Sequence, residues 1–330
     1  METIVVVGPT ASGKSDYAIS LARETGGEIV SADSRQVYRG MDIGTGKVTR
    51  DRAAGHPEPA EGSSKYEEID VPGKTDSSTR RLARNDISYI SGGIRHHLLD
   101  VASPKRTYTV THFLRDAKAA IDDIRKRGKT PIICGGTNFW IEALVSDTAF
   151  PAVRPDPTLR KTLGRLTAPE LFTMLEEKDP DRARTIDRHN KVRLIRALEI
   201  VATLGKVPTS GTRTQESGMK RERTERFRFI GIDISREQLR KNIERRLDKR
   251  LGEGMVNEVR RLREEEGISW KRLEGFGLEY RWCALFLQGK ITETELRDGI
   301  TRDSLSYAKR QMTFLRKLER NGIRIEWRRI

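Results

Sequence analysis

The sequence predicts an α/β fold in which a parallel sheet carries flanking helices and is interrupted by an inserted helical subdomain. Three observations indicate this class. A β-branched run precedes a glycine-rich loop, strand and helix patterns alternate through the first half, and the pattern becomes helical after residue 150. With 330 residues, the chain is long enough for a large core and more than one domain.

The first element is an apolar strand at residues 3–7, followed by the loop GPTASGKS at 8–15. Apolar residues at helical spacing then predict a helix over 16–23. Strand, glycine-rich loop and helix, in this order, are the structural context that a phosphate-binding loop requires.

Three further segments are typical of strands, and the sequence places helices between them. The strand segments are EIVSADS (28–34), RHHLLDV (95–101) and TPIICGGT (130–137). The intervening segment 111–129 places Phe113, Ala117, Ala120, Ile121 and Ile124 on one face, which predicts an amphipathic helix that ends at Gly128. Such alternation predicts a parallel sheet that is covered on both faces.

The predicted domain organisation has three parts. Residues 1–150 form a core of the phosphate-loop NTPase type, interrupted at 49–92 by a long, partly mobile insertion rich in Gly, Pro, Ser and charge. Residues 151–207 form the helical insertion subdomain. Residues 208–330 return to the core through the strand RFRFIGIDI (226–234). They continue as helices that begin near Ser235, at the capping box formed by Thr292 and Glu295, and near Thr301, the last one ending at Asn321–Gly322.

The positive charge is concentrated in the second part of the chain. The net charge is +15, but residues 1–150 carry 21 basic and 20 acidic residues, whereas residues 151–330 carry 42 and 28. A basic half favours a polyanionic partner such as nucleic acid. The alternative is a solvated surface that is rich in arginine, and charge alone does not decide between them.

The cysteine count and the hydropathy exclude several classes of protein. Cys134 and Cys283 provide neither a disulfide framework nor metal-ligand spacing, and His96–His97 have no further ligands at such spacing. No apolar run approaches the ~20 residues of a membrane span. We therefore expect a cytoplasmic protein that acts as a monomer and does not associate with a membrane.

The loop at residues 8–15 matches the phosphate-loop pattern at each fixed position, namely Gly8, Gly13, Lys14 and Ser15. Its backbone N–H groups would surround phosphate oxygens, and the following helix N-terminus would add its dipole. Lys14 would contact the terminal phosphate, and the Ser15 hydroxyl would be a ligand of Mg²⁺. A chance turn is the less favoured alternative.

Two polar residues follow predicted strands and should face the same crevice, because ligands of parallel sheets bind beyond the carboxyl ends of the strands. Asp33 follows the second strand and could act as a general base or a Mg²⁺ ligand, or it could cap the next helix together with Ser34. Thr137 follows Gly135–Gly136 and could line the site or simply form a turn.

Two basic features come from the C-terminal part. Arg246 shares a helix face with Leu239 and Ile243, so it should point inward to an anion, which could be a phosphate or an internal carboxylate. The segment YAKRQMTFLRK (307–317) combines a basic stripe with an apolar stripe. It could contact a phosphate backbone or form a solvated face.

The motifs GPTASGKS, SADSRQVYRGMDIGTGK, HHLLDV, CGGT, NKVRLIRALEI and YAKRQMTFLR occur in an order that resembles tRNA dimethylallyltransferases, also called tRNA isopentenyltransferases, of the bacterial type. The resemblance covers most of the chain apart from 49–92. It implies transfer of a dimethylallyl group from dimethylallyl diphosphate to N6 of the adenosine at tRNA position 37, with Mg²⁺ as cofactor and the anticodon stem-loop as partner.

The resemblance also implies roles for individual residues. Asp33 would be the general base, and Thr137 and Arg246 would complete the catalytic set. The diphosphate would be bound by Gly8, Thr10, Ala11, Ser12, Gly13, Lys14 and Ser15, with Ser15 as the metal ligand. Contacts with tRNA would come from Asp33, Ser34, Arg35, Gln36, Thr137, Arg160, Val192, Arg193, Arg196, Phe276, Arg281, Lys309, Arg310, Gln311 and Arg316.

Several positions depart from the family pattern. Asn138, Phe139 and Trp140 replace the usual Gly-Leu-Tyr, Glu279 stands where Gly is usual, and Asn242 replaces a commonly basic residue. The 49–92 insertion has no counterpart in the pattern.

Three alternative functions fit parts of the sequence. An adenylate isopentenyltransferase would use the same donor, but a free nucleotide needs no extended basic surface. A small-molecule kinase would use the loop for ATP and would require a lid. An RNA-binding protein without activity would have no use for a phosphate loop opposite Asp33.

Overall fold

The computed structural model describes residues 2–51, 89–148, 150–208 and 227–329. The chain divides into two compact units, one formed by residues 1–144 and 223–330 and the other by residues 145–222. The predicted subdomain 151–207 falls within the second unit. The predicted insertion at 49–92 lies largely outside the described residues.

The first unit contains a seven-stranded sheet in the order β3-β4-β2-β5-β1-β6-β7. Its strands, from β1 to β7, are Thr3–Val7, Glu28–Ser31, Tyr89–Ser91, Ile94–His97, Pro131–Cys134, Phe227–Asp233 and Ile325–Arg329. All neighbours pair in parallel except β3 and β4, which pair antiparallel. The α/β class is therefore confirmed, with one antiparallel edge strand that the sequence analysis missed.

The central strands are buried on both faces, as their continuous apolar runs predict. On one face, Ile4 and Ile132 pack with Ala18 and Ala22 of α1 (Lys14–Thr25). The alternate residues Val5, Val30 and Ile133 are fully buried on the other face. Helix α2 (Val110–Lys126) contacts β2 and β5 and buries the five residues that the sequence placed on its apolar face.

The remaining helices of the first unit lie after β5 and after β6. They are α3 (Asn138–Val145), whose last residue lies across the unit boundary, and then α8 (Arg236–Gly252), α9 (Met255–Glu264), α10 (Trp270–Phe276), α11 (Leu278–Leu287) and α12 (Glu293–Arg320). Helix α8 begins after Ser235, as predicted. The Ser235 hydroxyl accepts a hydrogen bond from the Gln238 backbone N–H.

The two predicted C-terminal helices are in fact one continuous helix. Thr292 and Glu295 form the predicted capping box, but α12 runs without a break from Glu293 to Arg320. The prediction of a second start near Thr301 was therefore wrong, because no residue there interrupts the hydrogen-bond ladder. After the turn at Asn321–Gly322 the chain forms the edge strand β7, which the sequence analysis also missed.

The second unit is helical. Its helices are α4 (Pro157–Leu163), α5 (Ala168–Lys178), α6 (Pro180–Ala183) and α7 (Lys191–Leu204). They enclose a small core of their own that includes Leu171, Leu175, Leu194 and Leu198. Among the described residues of the whole chain, no helix is long and apolar enough to cross a membrane.

Candidate active site

The phosphate loop, residues 8–15, connects β1 directly to α1. Gly13 precedes α1 with a φ of 84°, a left-handed conformation that glycine adopts without strain. No side chain caps this end of α1 within the described residues. The N–H groups of its first turn are therefore available to an anion, and the helix dipole favours negative charge at the same place.

Lys14 contributes a cation to the loop. Its ammonium donates a hydrogen bond to the Pro9 carbonyl at 3.2 Å. Burial lowers the pKa of Lys14, and the nearby Arg246 lowers it further, whereas the Cys134 thiol and the Asp33 carboxyl raise it. A cation that is only partly hydrated attracts a phosphate group more strongly than one in bulk water.

Arg246 is a second cation at the loop, and it projects from α8 as the helix periodicity predicts. Its guanidinium donates to the Thr10 hydroxyl at 2.8 Å and lies 3.9 Å from the Glu279 carboxylate. Burial lowers the pKa of Arg246 to about 10, and Arg250 contributes, while Glu279 and Asp33 oppose the shift. The group stays charged at neutral pH, and it faces both the phosphate loop and an internal carboxylate.

Two amide side chains hold the backbone of the loop, and the sequence analysis did not assign this role to either. The Asn242 amide donates to the Ala11 carbonyl at 3.1 Å, and the Gln311 side-chain oxygen accepts from the Thr10 backbone N–H at 2.7 Å. These contacts join α8 and α12 to the loop across more than 200 residues of sequence, so no local pattern could have revealed them.

Asp33 lies just beyond β2, at the edge of the sheet where the phosphate loop begins. Its Oδ1 accepts hydrogen bonds from the backbone N–H of Arg35 at 2.8 Å and of Gln36 at 3.4 Å. The hypothesis that Asp33 caps a helix is wrong, because the described residues that follow it form turns rather than a helix, and its carboxylate caps the first of these turns. Its other oxygen faces Gly136, since a methyl carbon added at Gly136 would lie 3.3 Å from Oδ2. One oxygen thus fixes the turn while the other points across the crevice.

Thr137 is joined to the segment that follows Asp33. Its hydroxyl oxygen accepts a hydrogen bond from the Ser34 backbone N–H at 2.9 Å and donates to the Ser34 hydroxyl at 3.2 Å. Gly135 permits this approach, because a Cβ there would lie 2.3 Å from the Ala32 backbone. The sequence correctly placed Asp33 and Thr137 in one crevice.

Helix α12 completes this crevice with two side chains. The Gly136 carbonyl accepts hydrogen bonds from the Tyr307 hydroxyl at 2.8 Å and from the Gln311 amide at 2.9 Å. The Asn138 amide donates to the Gln311 carbonyl at 3.1 Å. Gln311 is only 3% exposed, so its predicted contact with tRNA has to come from inside the crevice rather than from an outer helix face.

A second glycine loop, residues 41–47, lies beyond the turn that Asp33 caps. The Glu258 carboxylate accepts hydrogen bonds from the backbone N–H groups of Asp42, Ile43 and Gly44 at 2.7–3.1 Å. The Tyr280 hydroxyl also donates to Glu258, at 2.6 Å. This loop is therefore held by a buried carboxylate that belongs to the protein itself.

Gln36 and Arg250 contact the carbonyl groups of the same loop. The Gln36 amide donates to the carbonyls of Thr45 at 3.3 Å and Gly46 at 3.1 Å. The Arg250 guanidinium donates to the Gly44 carbonyl at 3.2 Å. The position of Gln36, a predicted base-recognition residue, thus depends on the second glycine loop.

Phe276 does not present its ring to solvent, because it is 3% exposed. The guanidinium groups of Arg35 and Arg272 lie 5.6 and 4.6 Å from its ring centre, and the Tyr38 ring lies at 5.2 Å. Phe276 is therefore buried beneath Arg35, which its ring contacts by a cation–π interaction, and its contact with tRNA stays a prediction.

Four predicted tRNA contacts of the first unit are exposed. Lys309, Arg310 and Arg316 are exposed along α12, and Arg281 is exposed on α11. These side chains are accessible to a large anionic partner.

In the second unit, two of the predicted tRNA contacts pair with one buried carboxylate, and the other two are exposed. Glu199 receives two hydrogen bonds from Arg160, both at 2.7 Å, and one from Arg196 at 3.2 Å. Val192 is 78% exposed, and Arg193 beside it is exposed as well. Glu199 therefore fixes Arg160 and Arg196, while Val192 and Arg193 remain accessible.

A cavity of about 20 Å³, room for one water molecule, lies beside Ser15. Its lining includes Ser31, Gln36, His96 and Cys134. The described residues contain no group of three His, Cys, Asp or Glu side chains that could hold a metal ion. Mg²⁺ commonly takes few protein ligands and completes its shell with phosphate and water, so the Ser15 hydroxyl at the loop fits this ion.

The fold and the site together define a phosphate-loop α/β enzyme. A phosphate-loop motif with two inward cations faces a carboxylate and a threonine across one crevice, and basic side chains are exposed on nearby helices.

Comparison with known proteins identifies the family. The family model described as "IPP transferase" matches residues 80–318, and the one described as "Isopentenyl transferase" matches residues 1–56. The chain belongs to the tRNA dimethylallyltransferase (IPP transferase) family of prenyltransferases.

Similar proteins match over nearly the whole chain. "tRNA dimethylallyltransferase 2" of Treponema denticola is 36% identical over 98% of this chain and 95% of its own length. A protein of the same name from Bacteroides fragilis is 36% identical over 99% of this chain and 92% of its own length.

Solved structures show the same fold. The tRNA isopentenylpyrophosphate transferase of Bacillus halodurans has a TM-score of 0.62 and 29% identity, and the alignment covers 99% of this chain and 89% of the other. A eukaryotic dimethylallyltransferase, described as acting on tRNA, has a TM-score of 0.64 with 22% identity over 99% of this chain and 73% of its own, and it supports the fold alone.

Proposed function

We propose that this protein transfers a dimethylallyl group from dimethylallyl diphosphate to N6 of the adenosine at tRNA position 37, next to the anticodon. The observation that carries this proposal is the convergence of the phosphate loop, Arg246 and Asp33 on one crevice. This convergence occurs in a chain whose relatives along its whole length are tRNA dimethylallyltransferases. The products are N6-isopentenyladenosine in tRNA and diphosphate.

The donor diphosphate would lie on the phosphate loop. The free N–H groups at the start of α1, the Lys14 ammonium and the Arg246 guanidinium would bind its oxygens and stabilise the negative charge that grows as the allylic C–O bond breaks. The Ser15 hydroxyl would hold Mg²⁺ against the same oxygens, where the ion would supply further charge stabilisation.

The acceptor adenine would enter from the side of Asp33. As the N6 nitrogen forms its bond to the allylic carbon, it loses a proton, and the Asp33 oxygen that faces Gly136 would accept it. The base must leave its stack to reach this position. Thr137, Ser34 and Gln36 would border the base, because the hydrogen bonds described above place them beside Asp33.

The anticodon stem-loop would contact the exposed basic side chains of α11, α12 and the second unit. Contacts of this kind recognise mainly phosphates and the shape of the RNA. The surplus of basic residues after residue 150 supports this assignment. We further propose that the protein acts as a monomer in the cytoplasm, where tRNA is modified.

One assay separates this function from its alternatives. The protein is incubated with labelled dimethylallyl diphosphate, Mg²⁺ and unmodified tRNA. Control reactions contain AMP or ATP in place of the tRNA. We expect label in tRNA only, at the adenosine next to the anticodon.

Other outcomes identify the alternative functions. Label in AMP and not in tRNA would show an adenylate isopentenyltransferase. ATP turnover without prenyl transfer would show a kinase, and tRNA binding with neither reaction would show a protein that only binds RNA.

A further inference from the structure

Glu279 is a buried carboxylate next to the diphosphate site for which the proposed mechanism has no role. It lies on α11, is 7% exposed and accepts a hydrogen bond from the Arg250 guanidinium at 2.6 Å. The Arg246 guanidinium lies 3.9 Å from the same Glu279 oxygen. One carboxylate is therefore shared by two arginines.

The two arginines repel each other. Arg246 and Arg250 are four residues apart on α8, so they lie on one face one turn apart, where like charges are unfavourable. Consistently, Arg250 lowers the pKa of Arg246, and Glu279 raises it. Without the carboxylate, the two guanidinium groups would face each other with no intervening negative charge.

The side chains around Glu279 are closely packed. The space between these side chains is too small for a water molecule. Apart from Arg246, Arg250 and Glu279 themselves, it is lined by Ile243, Leu247, Ile300 and Ser304. In such surroundings, charges are screened less than in bulk water, so the Glu279 carboxylate interacts with the two guanidinium groups more strongly than an exposed carboxylate would.

Each arginine also has a second contact, and the two contacts point in different directions. Arg246 donates to the Thr10 hydroxyl of the phosphate loop, and Arg250 donates to the Gly44 carbonyl of the second glycine loop. The orientation of Arg246 towards the phosphate loop therefore depends on the separation between it and Arg250.

We propose that Glu279 is a positioning residue for donor binding, which holds Arg250 back from Arg246 and thereby keeps the Arg246 guanidinium at the phosphate loop. This inference rests on the proposed function, in which Arg246 binds the diphosphate of the donor. Glu279 itself touches neither the donor nor the reacting atoms.

The test is the Glu279→Gln variant of the full chain, which keeps the shape of the side chain and removes its charge. We expect the KM for dimethylallyl diphosphate and the inhibition constant of inorganic pyrophosphate to rise about five- to tenfold, which corresponds to 1–1.4 kcal/mol of binding. The KM for tRNA should stay within about twofold. Glu253→Gln, an exposed substitution on the same end of α8, is the matched control and should leave all three values unchanged.

The double variant Arg250→Met/Glu279→Gln separates charge positioning from a merely structural role. Removal of the repelling guanidinium should restore at least half of the lost pyrophosphate affinity on a logarithmic scale. If the double variant binds pyrophosphate no better than Glu279→Gln, or if Glu279→Gln raises the KM for tRNA as much as that for the donor, the inference is wrong.

Two further measurements keep the test decisive. The increase in melting temperature caused by pyrophosphate with Mg²⁺ reports donor-site binding without any transfer reaction. Absence of transfer by the unaltered protein would thus refute the proposed function but leave this test intact. If Glu279→Gln does not fold, Glu279→Asp, which retracts the charge, should show the same donor-specific loss at about twofold.

Discussion

The phosphate loop and the second glycine loop are both glycine-containing turns beside the site, but their backbone N–H groups have different partners. In the phosphate loop, the N–H groups at the start of α1 have no capping side chain among the described residues, and Lys14 and Arg246 lie beside them. In the second loop, the Glu258 carboxylate occupies three consecutive N–H groups. The first loop leaves these N–H groups accessible, whereas the second binds a carboxylate of the protein itself.

This difference teaches why a glycine-rich pattern alone does not identify a ligand site. GPTASGKS and MDIGTGK both combine Gly, Thr and Lys in a turn. Lys47, the counterpart of Lys14, is buried and donates to Asp42 at 2.5 Å and also to Asp100, so its charge is already neutralised inside the protein. Only the surrounding structure distinguishes a loop whose N–H groups are accessible to a ligand from a loop whose N–H groups bind a carboxylate of the protein itself.

The largest expected effect comes from Asp33→Asn. The amide can still accept the hydrogen bonds of Arg35 and Gln36 through its Oδ1 but cannot take a proton, so we expect kcat to fall about 10³-fold. Filter binding should give a tRNA affinity within about threefold of the unaltered protein. A collapse of tRNA binding would instead make Asp33 a recognition or structural residue.

Glu258→Gln tests the occupied loop. Glutamine has one acceptor oxygen where Glu258 has two, so its NH2 group would face either the N–H groups of Asp42 and Ile43 or the Gly44 N–H and the Tyr280 hydroxyl. Two hydrogen bonds would be lost, and the free energy of unfolding should fall by about 2–3 kcal/mol. Calorimetry should show a lower melting temperature, while pyrophosphate still raises it by the normal increment. A stability equal to that of the unaltered protein would contradict the view that Glu258 acts as an internal anion.

The pH dependence of stability tests the cavity beside Ser15 and Gln36. His96 lines the cavity that also contacts Ser15 and Gln36, and burial lowers its pKa to about 4. The folded protein therefore binds fewer protons at His96 than the unfolded chain does between pH 6.5 and 4. The contribution of His96 to the free energy of unfolding does not vary above pH 6.5. Up to about 3 kcal/mol of that free energy is lost as the pH falls from 6.5 to 4.

His96→Asn removes this titration and should flatten the acid limb between pH 6.5 and 4 in urea unfolding measured at several pH values. Glu28 keeps its own acid sensitivity, because His97 and the hydrogen bonds of Arg127 and Lys129 hold its pKa far below the usual range. The remaining loss in the variant should therefore occur mainly below pH 4. An unchanged acid limb would show that His96 does not titrate there.

Gly46→Ala should cost about 1–3 kcal/mol. Gly46 has a φ of 61°, and a Cβ there would lie 1.7 Å from the Arg250 guanidinium, so Arg250 must move. Gly26→Ala is the matched control, since Gly26 has the same φ and no atom of the described residues lies within 4 Å of its Cβ position. The extra loss of stability in Gly46→Ala, measured by urea unfolding, reports the Arg250 contact, and equal losses would exclude it.

The smallest effect on stability is expected for Thr10→Ala in the open loop. The Thr10 backbone keeps its hydrogen bond to Gln311, and only the hydroxyl that accepts from Arg246 is lost, so stability should change by less than about 1 kcal/mol. The KM for dimethylallyl diphosphate should nevertheless rise several-fold. A large drop in melting temperature would show that the Thr10 hydroxyl also stabilises the fold.

The sequence by itself determined the α/β class, the phosphate loop, the shared crevice of Asp33 and Thr137 and the inward direction of Arg246. It could do so because these features depend on local periodicity and on the rule that parallel strands end at one edge. Tertiary structure decided the rest. Gln311 and Asn242 hold the phosphate loop, Glu258 fills the second loop, and Phe276 is buried under Arg35. These contacts join residues about 200 or more positions apart. The local sequence around a residue does not show which distant residue it will contact.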